Sequence, residues 1–291
     1  MATDDKTAPC RVWFITGASS GVGAATAIAA LDRGDRVAAA ARNQHALGGL
    51  GSGDRDRVLP VGLDVRDEAQ AEAAVAAAVA AFGRIDVVVN SAGYGLFGPV
   101  EKTTDEQARA IFDTNFFGVL NVLRAILPVL RRQRAGHVFQ LSSLFGQISW
   151  PGTGLLAATK HAVGGVTAAL AQELAPLGVR FTMVEPGAIT TRFMSNSVVT
   201  ETEVDYDSTV GALFRALAQD TGAESLSATA VAAAIARVAG ADRPPLHLAL
   251  GRTAAEAIHQ ELTARLQDLT DWNQVTGAAA AAEPGQPVDS A

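Results

Sequence analysis

The chain has 291 residues, 48% of them apolar and 18% charged, which is enough apolar side chain for a sizeable core. A net charge of −7 argues against a nucleic-acid partner. One cysteine, Cys10, leaves no internal disulfide, and neither CxxC nor HxH metal spacing occurs, so no metal site is expected.

In chain order, Met1 to Pro9 is polar and lacks the long apolar run of a signal peptide. Charges also interrupt the alanine-rich stretches before they reach membrane-spanning length, so the chain reads as cytoplasmic with no membrane partner. Val12 to Thr16 is an apolar run of strand length that ends in a glycine cluster. Gly17, Gly21 and Gly23 follow at G-x-x-x-G-x-G spacing and lead into Ala24 to Arg33, a run of strong helix formers. A strand, a glycine turn and a helix make half of a βαβ unit. Glycines there let the backbone approach a pyrophosphate and leave N–H groups of the helix start free for it. The same glycines would also serve a tight turn that packs a helix on a sheet. Arg36 to Ala41 reads as a second strand, followed by Arg42. No carboxylate stands between Arg36 and Ala46 to take a ribose 2′-hydroxyl, whereas Arg42 suits the 2′-phosphate of NADP(H). A solvated arginine at a strand end is the plain alternative.

Gly48 to Asp56 is a surface connection. Val58 to Leu63 is a third strand ending at Asp64-Val65, and Asp67 to Phe82 is an alanine-rich helix stopped by Gly83. Ile85 to Val89 is apolar throughout, as in a strand buried on both faces, and runs into Asn90-Ser91-Ala92-Gly93. A helix begins at Thr104 with carboxylates in its first turn and continues past Asn115 to about Gln133. Asn115 stands alone in the apolar stretch Phe112 to Leu120. Gly136 to Leu141 is a fifth strand, followed by Ser142 and Ser143. The next long helix, about Gly154 to Ala175, carries Lys160, and Val179 to Val184 is a sixth strand ending in Glu185-Pro186-Gly187. This alternation predicts an α/β fold, a doubly wound parallel sheet of Rossmann type with ligands at the carboxyl ends of its strands. Residues 188–220 read as a lid over a substrate. Helices over Val210 to Ala218 and Ala228 to Val238, a strand at Leu246 to Leu250 and an amphipathic helix at Ala254 to Leu269 follow. Residues 1–276 are thus read as a single domain and 277–291 as a disordered tail.

The motif TGASSGVG at 16–23, Asn90-Ser91-Ala92-Gly93, Asn115, Ser143, Lys160 and Pro186-Gly187 occur in the order and spacing of the short-chain dehydrogenase/reductase superfamily. The chain resembles that family over residues 10 to 270. The resemblance implies a cofactor site lined by Gly17, Ser19, Ser20, Gly21, Val22, Gly23, Arg42, Asp64, Val65, Asn90, Ala92, Gly93, Lys160, Pro186, Gly187, Ile189 and Thr191. It also implies that Asn115, Ser143 and Lys160 act in catalysis, and that helices of 103–133 and 154–175 form a homodimer or homotetramer. The family pattern sets a tyrosine thirteen residues after the serine and four before the lysine. From Ser143 that position is 156, and it holds Leu156. No tyrosine lies between Tyr94 and Tyr206, so a shifted register does not restore it.

In the family, the tyrosine gives a proton to the carbonyl oxygen while nicotinamide gives hydride to the carbon. The lysine holds the ribose and lowers the tyrosine's pKa, and the serine orients the substrate oxygen. Losing a positioned general acid costs roughly 10²–10⁴ in rate. That loss is severe for a ketone but small for an iminium, which becomes a neutral amine on taking hydride. One reading is therefore an NADPH-dependent reductase of an iminium or hemiaminal carbon, with Ser143 or Asn115 orienting the substrate. A second is ketone chemistry with Ser143, a water held by Lys160, Tyr94 or Tyr206 as the acid. A third is a non-redox, cyclase-like or nucleotide-sensing protein, or an inactive relative. Tyr94, Phe97, Phe145, Trp150, Phe193 and Tyr206 are the candidate substrate contacts and suggest a bulky hydrophobic small molecule.

Overall fold

Short valine- and isoleucine-rich runs form the middle of the sheet because both faces of a parallel sheet are covered by helices. The computed structural model describes residues 10–51, 55–219 and 225–281. Its main strands are β1 (Val12–Thr16), β2 (Arg36–Ala41), β3 (Val58–Gly62), β4 (Val87–Asn90), β5 (Gly136–Leu141), β6 (Val179–Pro186) and β7 (His247–Leu250). Among the described residues they form one seven-stranded parallel sheet in the order β3-β2-β1-β4-β5-β6-β7. The order reverses direction at β1, so a crevice opens between the carboxyl ends of β1 and β4.

One face is covered by α2 (Glu68–Phe82), α4 (Gly118–Gln133) and α5 (Gly154–Leu174), which enclose Phe14, Val88, Val138 and Phe181 of the sheet. The other is covered by α1 (Gly21–Asp32) and α7 (Ala228–Ala239), over Trp13, Ile15, Val89 and Phe139. Trp13 is fully buried and its indole N–H donates to Asp35 Oδ2 at 2.9 Å, so its polar edge is satisfied. β2 is nearly all alanine, a weak strand former, and its tertiary setting overrides that propensity. Its small side chains form the floor on which α1 packs.

Three expectations need correction. The first helix starts at Gly21 rather than Ala24, because the last glycines of the turn already have helical hydrogen bonding: Ala24 N donates to Ser20 O at 3.2 Å. The helix through Asn115 is not one regular α-helix. It comprises α3 (Asp105–Phe112), a π-turn at Asp113–Phe117 and then α4. The lid region is also less irregular than its polar sequence suggests. Val198–Val199 pairs with Leu96–Phe97, and Ile189–Thr190 pairs with Leu226–Ser227. Among the described residues, three further α-helices follow: α6 (Ala212–Gln219), α8 (Arg252–Asp271) and α9 (Asn273–Ala281). Of the expected tail, residues 277–281 therefore close α9, and 282–291 lie outside the described residues, as do Met1 to Pro9. Among the described residues, Asp105–Gln133 is long and apolar enough to cross a membrane, yet Val122, Leu123, Ile126 and Leu130 of it are buried against the sheet.

Candidate active site

The glycine turn after β1 is shaped by close backbone approach. Gly17 has φ +66°, and a Cβ there would lie 2.9 Å from Ala92 N; a Cβ on Gly23 would lie 2.4 Å from Gly17 O. Thr16 Oγ1 accepts from Ser91 N at 3.1 Å and Ala92 N at 3.2 Å, which ties this turn to the one after β4. At the start of α1, Ser20 gives no side-chain cap and the first turn holds no acidic residue. A Cβ on Gly21 would stand 3.7 Å from the Thr191 methyl, so the segment after Gly187 passes over the turn. Asn90 is 4% exposed, and both ends of its side-chain amide are buried without a partner in the protein. This cradle fits a dinucleotide: an uncapped helix start for a diphosphate and an unpaired amide for a polar ligand edge.

Arg42 projects into solvent from the end of β2, near enough to Asp64 to help hold that carboxyl below its usual range. The larger cause is Arg66, whose guanidinium grips Asp64 at 2.6 to 3.1 Å. Val65 is buried, and Pro186-Gly187 ends β6, with Gly187 N donating to Leu250 O at 3.1 Å. Ile189 is half-buried, as is Thr191, whose hydroxyl accepts from Phe193 N.

On α5, Lys160 extends to the sheet end and its ammonium donates to Leu141 O at 2.9 Å. No carboxylate pairs with it in the ion pairs of the described residues. Burial alone lowers its pKa to about 8. Ser143 Oγ accepts from Phe145 N at 3.2 Å and so caps the turn Leu144–Gly146. Gly146 of that turn lies close to its neighbours: a Cβ there would stand 2.5 Å from Ser142 Oγ and 3.7 Å from Lys160 Cβ. Asn115 is 2% exposed because the π-turn points it inward. Its Nδ2 donates to Tyr94 O at 2.9 Å and Thr159 Oγ1 at 3.4 Å, while Oδ1 accepts from Tyr94 N at 3.1 Å. Both amide hydrogens are thus used internally. Asn115 clasps the backbone after Gly93 and ties it to α5.

Leu156 lies one turn before Lys160 and is 2% exposed. It packs in a cluster with Leu96, Phe97 and Ile111, bordered by Tyr94, Phe112, Phe145, Leu155, Phe193 and Phe214. Four of the six expected substrate contacts, Tyr94, Phe97, Phe145 and Phe193, therefore gather around the leucine. Trp150 packs edge-on against Phe145 at 5.4 Å between centroids and is 39% exposed. Tyr206 lies elsewhere: its hydroxyl bonds Glu101 beside the Lys102–Glu203 ion pair. Sequence reasoning missed Ile111 and Phe214, which belong to helices whose apolar faces give no hint of what they cover. It also missed Glu185, a 2%-exposed carboxylate that accepts from Gln147 Nε2 at 2.8 Å and bonds His247 Nδ1 at 2.9 Å. That contact anchors the Ser143 loop to the end of β6.

Fold and site together define a Rossmann-type cofactor-binding protein with a lysine-bearing helix at the sheet's carboxyl edge. Residues 11–202 match the short chain dehydrogenase family model, and the chain belongs to that family of oxidoreductases. It is 42% identical to "Oxidoreductase BOA17" of Botryotinia fuckeliana over 248 residues, covering 84% of this chain and 90% of that protein. The crystal structure of a short-chain dehydrogenase from Streptomyces avermitilis superposes with a TM-score of 0.86 at 34% identity, over 93% of this chain and 99% of that one. A short chain dehydrogenase from Burkholderia cenocepacia in complex with NADP gives 0.70 at 29% identity, over 89% and 95%.

Proposed function

We propose that this chain is an NADPH-dependent reductase of a bulky hydrophobic substrate whose reacting carbon is an iminium, free or formed from a hemiaminal. The observation that carries the reading is Leu156: a buried apolar side chain holds the position where a hydroxyl would give a proton. When bound, NADPH supplies the hydride. The glycine turn at 17–23 would hold the diphosphate, Arg42 the 2′-phosphate and Lys160 the ribose. The NADP complex of the Burkholderia relative and the solvent-exposed position of Arg42 at the end of β2 support this choice of cofactor. Ser143 orients the substrate, and hydrogen bonding from its hydroxyl assists departure of hydroxide from a hemiaminal. Leu156, with Phe145 and Phe193, presents an apolar wall and keeps water from the reacting carbon. The reading includes a single NADP(H)-binding domain over residues 1–276 with 188–220 as its lid, and a homodimer or homotetramer through the helices of 103–133 and 154–175.

A second reading, ketone reduction with a substitute acid, is favoured by Lys160 alone. With a pKa lowered to about 8, its ammonium gives up a proton more readily than an ordinary lysine. Single-turnover oxidation of NADPH by an N-methyl dihydroisoquinolinium salt, compared with tetralone, separates the two. The iminium is expected to react at least ~10²-fold faster, and Leu156→Tyr is expected to raise the ketone rate. Equal rates with both acceptors, or a preference for NADH, would overturn the proposal.

A further inference from the structure

The helix that follows β7 begins against the body of the protein and ends away from it. Ala254 and Ile258 of α8 pack on Leu144 and Ile148, behind the turn that carries Ser143. From Leu262 to Gly277 every residue is exposed. Within that stretch Leu262 is 50% exposed, Leu266 65%, Leu269 69%, Trp272 65% and Val275 57%. Leu262, Leu266 and Leu269, spaced by four and then three residues, share one face of the helix. Helices in proteins owe most of their stability to tertiary packing of an apolar face. The five side chains together expose on the order of 600 Å², the upper end of what a monomer leaves uncovered.

What covers this face is constrained by the sequence. Residues 1–9, 52–54, 220–224 and 282–291 offer only Met1 and Val288 as large apolar side chains, too few to cover it. An anionic lipid surface is disfavoured as well. Between Glu261 and Gly277 the helix carries Glu261, Asp268 and Asp271 against one cation, Arg265, which is already bonded to Glu261 and to Gln147 O. A second copy of the chain presents an identical apolar stripe, as a two-fold interface requires. Two such stripes face to face, with Trp272 and Val275 of each chain laid against the body of the other, remove on the order of 1,200 Å², the lower bound for a specific, stable interface.

We propose that α8 and the Trp272 that follows it form a self-association surface, on which Leu262, Leu266 and Leu269 of two chains pack about a two-fold axis with the helices antiparallel. That orientation lays the free end of each helix, with Trp272 and Val275, beside the body of the other chain. It differs from the family-type contact through the helices of 103–133 and 154–175. It also steadies the site, because Arg265 Nη2 donates to Gln147 O at 2.6 Å and so holds the Ser143 loop from the same helix.

The test uses the full chain with Cys10→Ser, leaving no native thiol. Leu266→Cys and Leu269→Cys, made singly and oxidised, are expected to give covalent pairs, whereas Gln260→Cys on the other side of the helix gives none. Leu266→Glu with Leu269→Glu is expected to weaken self-association at least ~tenfold by light scattering on dilution, with an unchanged melting curve confirming the fold. Absence of a covalent pair at both positions, an unchanged mass of the double variant, or flotation of the wild-type chain with neutral phosphatidylcholine vesicles would each overturn the proposal.

Discussion

Leu156 and Lys160 lie four residues apart on α5 and face opposite demands. Leu156 is packed by large apolar neighbours, so Leu156→Ala should lower unfolding stability by about 2–5 kcal/mol in a denaturant titration. A leucine whose only role was to fill an open cofactor site would cost far less. Lys160 is the reverse, a cation kept in place although burial disfavours it. With its pKa down from 10.5 to about 8, the unfolded chain binds more protons than the folded one between those values, and stability rises with pH across that window. Ribose binding that depends on the ammonium should weaken over the same range. NADPH affinity is therefore expected to fall above pH 8 in the wild type and to show no such limb in Lys160→Met, measured by fluorescence titration. Position 156 was legible as the departure from a family pattern, but nothing in the residue itself showed that it packs into a cluster with Leu96, Phe97 and Ile111.

At the scale of elements, the glycine turn was the clearest sequence signal and the one with the sharpest structural consequence. Gly23→Ala would place a methyl 2.4 Å from Gly17 O, a backbone atom that cannot move without shifting the whole turn. The expected result is at least ~tenfold weaker NADPH binding in a fluorescence titration, together with a lower melting temperature from the strained turn. The π-turn that buries Asn115 was signalled only by a polar residue in an apolar run. Its purpose becomes clear from Tyr94 and Thr159, which are 21 and 44 residues away in sequence. The two short strand pairs that tie down residues 188–200 left no readable pattern at all. Two residues are too few for a period of two to appear.

For the molecule as a whole, the sheet carries a buried histidine that couples the fold to pH. His137 is 1% exposed with Nε2 2.9 Å from Thr182 Oγ1, and burial, with Arg180 and Arg11 nearby, lowers its pKa to about 3. The unfolded chain takes up this proton near 6.5 and the folded chain does not, so stability falls as pH drops from 6.5 towards 3. His137→Gln should flatten that acid limb in melting temperatures measured across pH, and an unaltered limb would assign the loss to carboxylates instead. The sequence by itself determined the alternation of strands and helices, the glycine cradle and the family. Those rest on local chain chemistry and on residues close together along it. Only the tertiary structure decided that Leu156 belongs to an apolar cluster, that Asn115 serves the backbone, that Tyr206 faces Glu101, and that α8 ends with its apolar face uncovered. Each of these depends on which distant segments meet, and that is set by packing across the sheet rather than by any local preference.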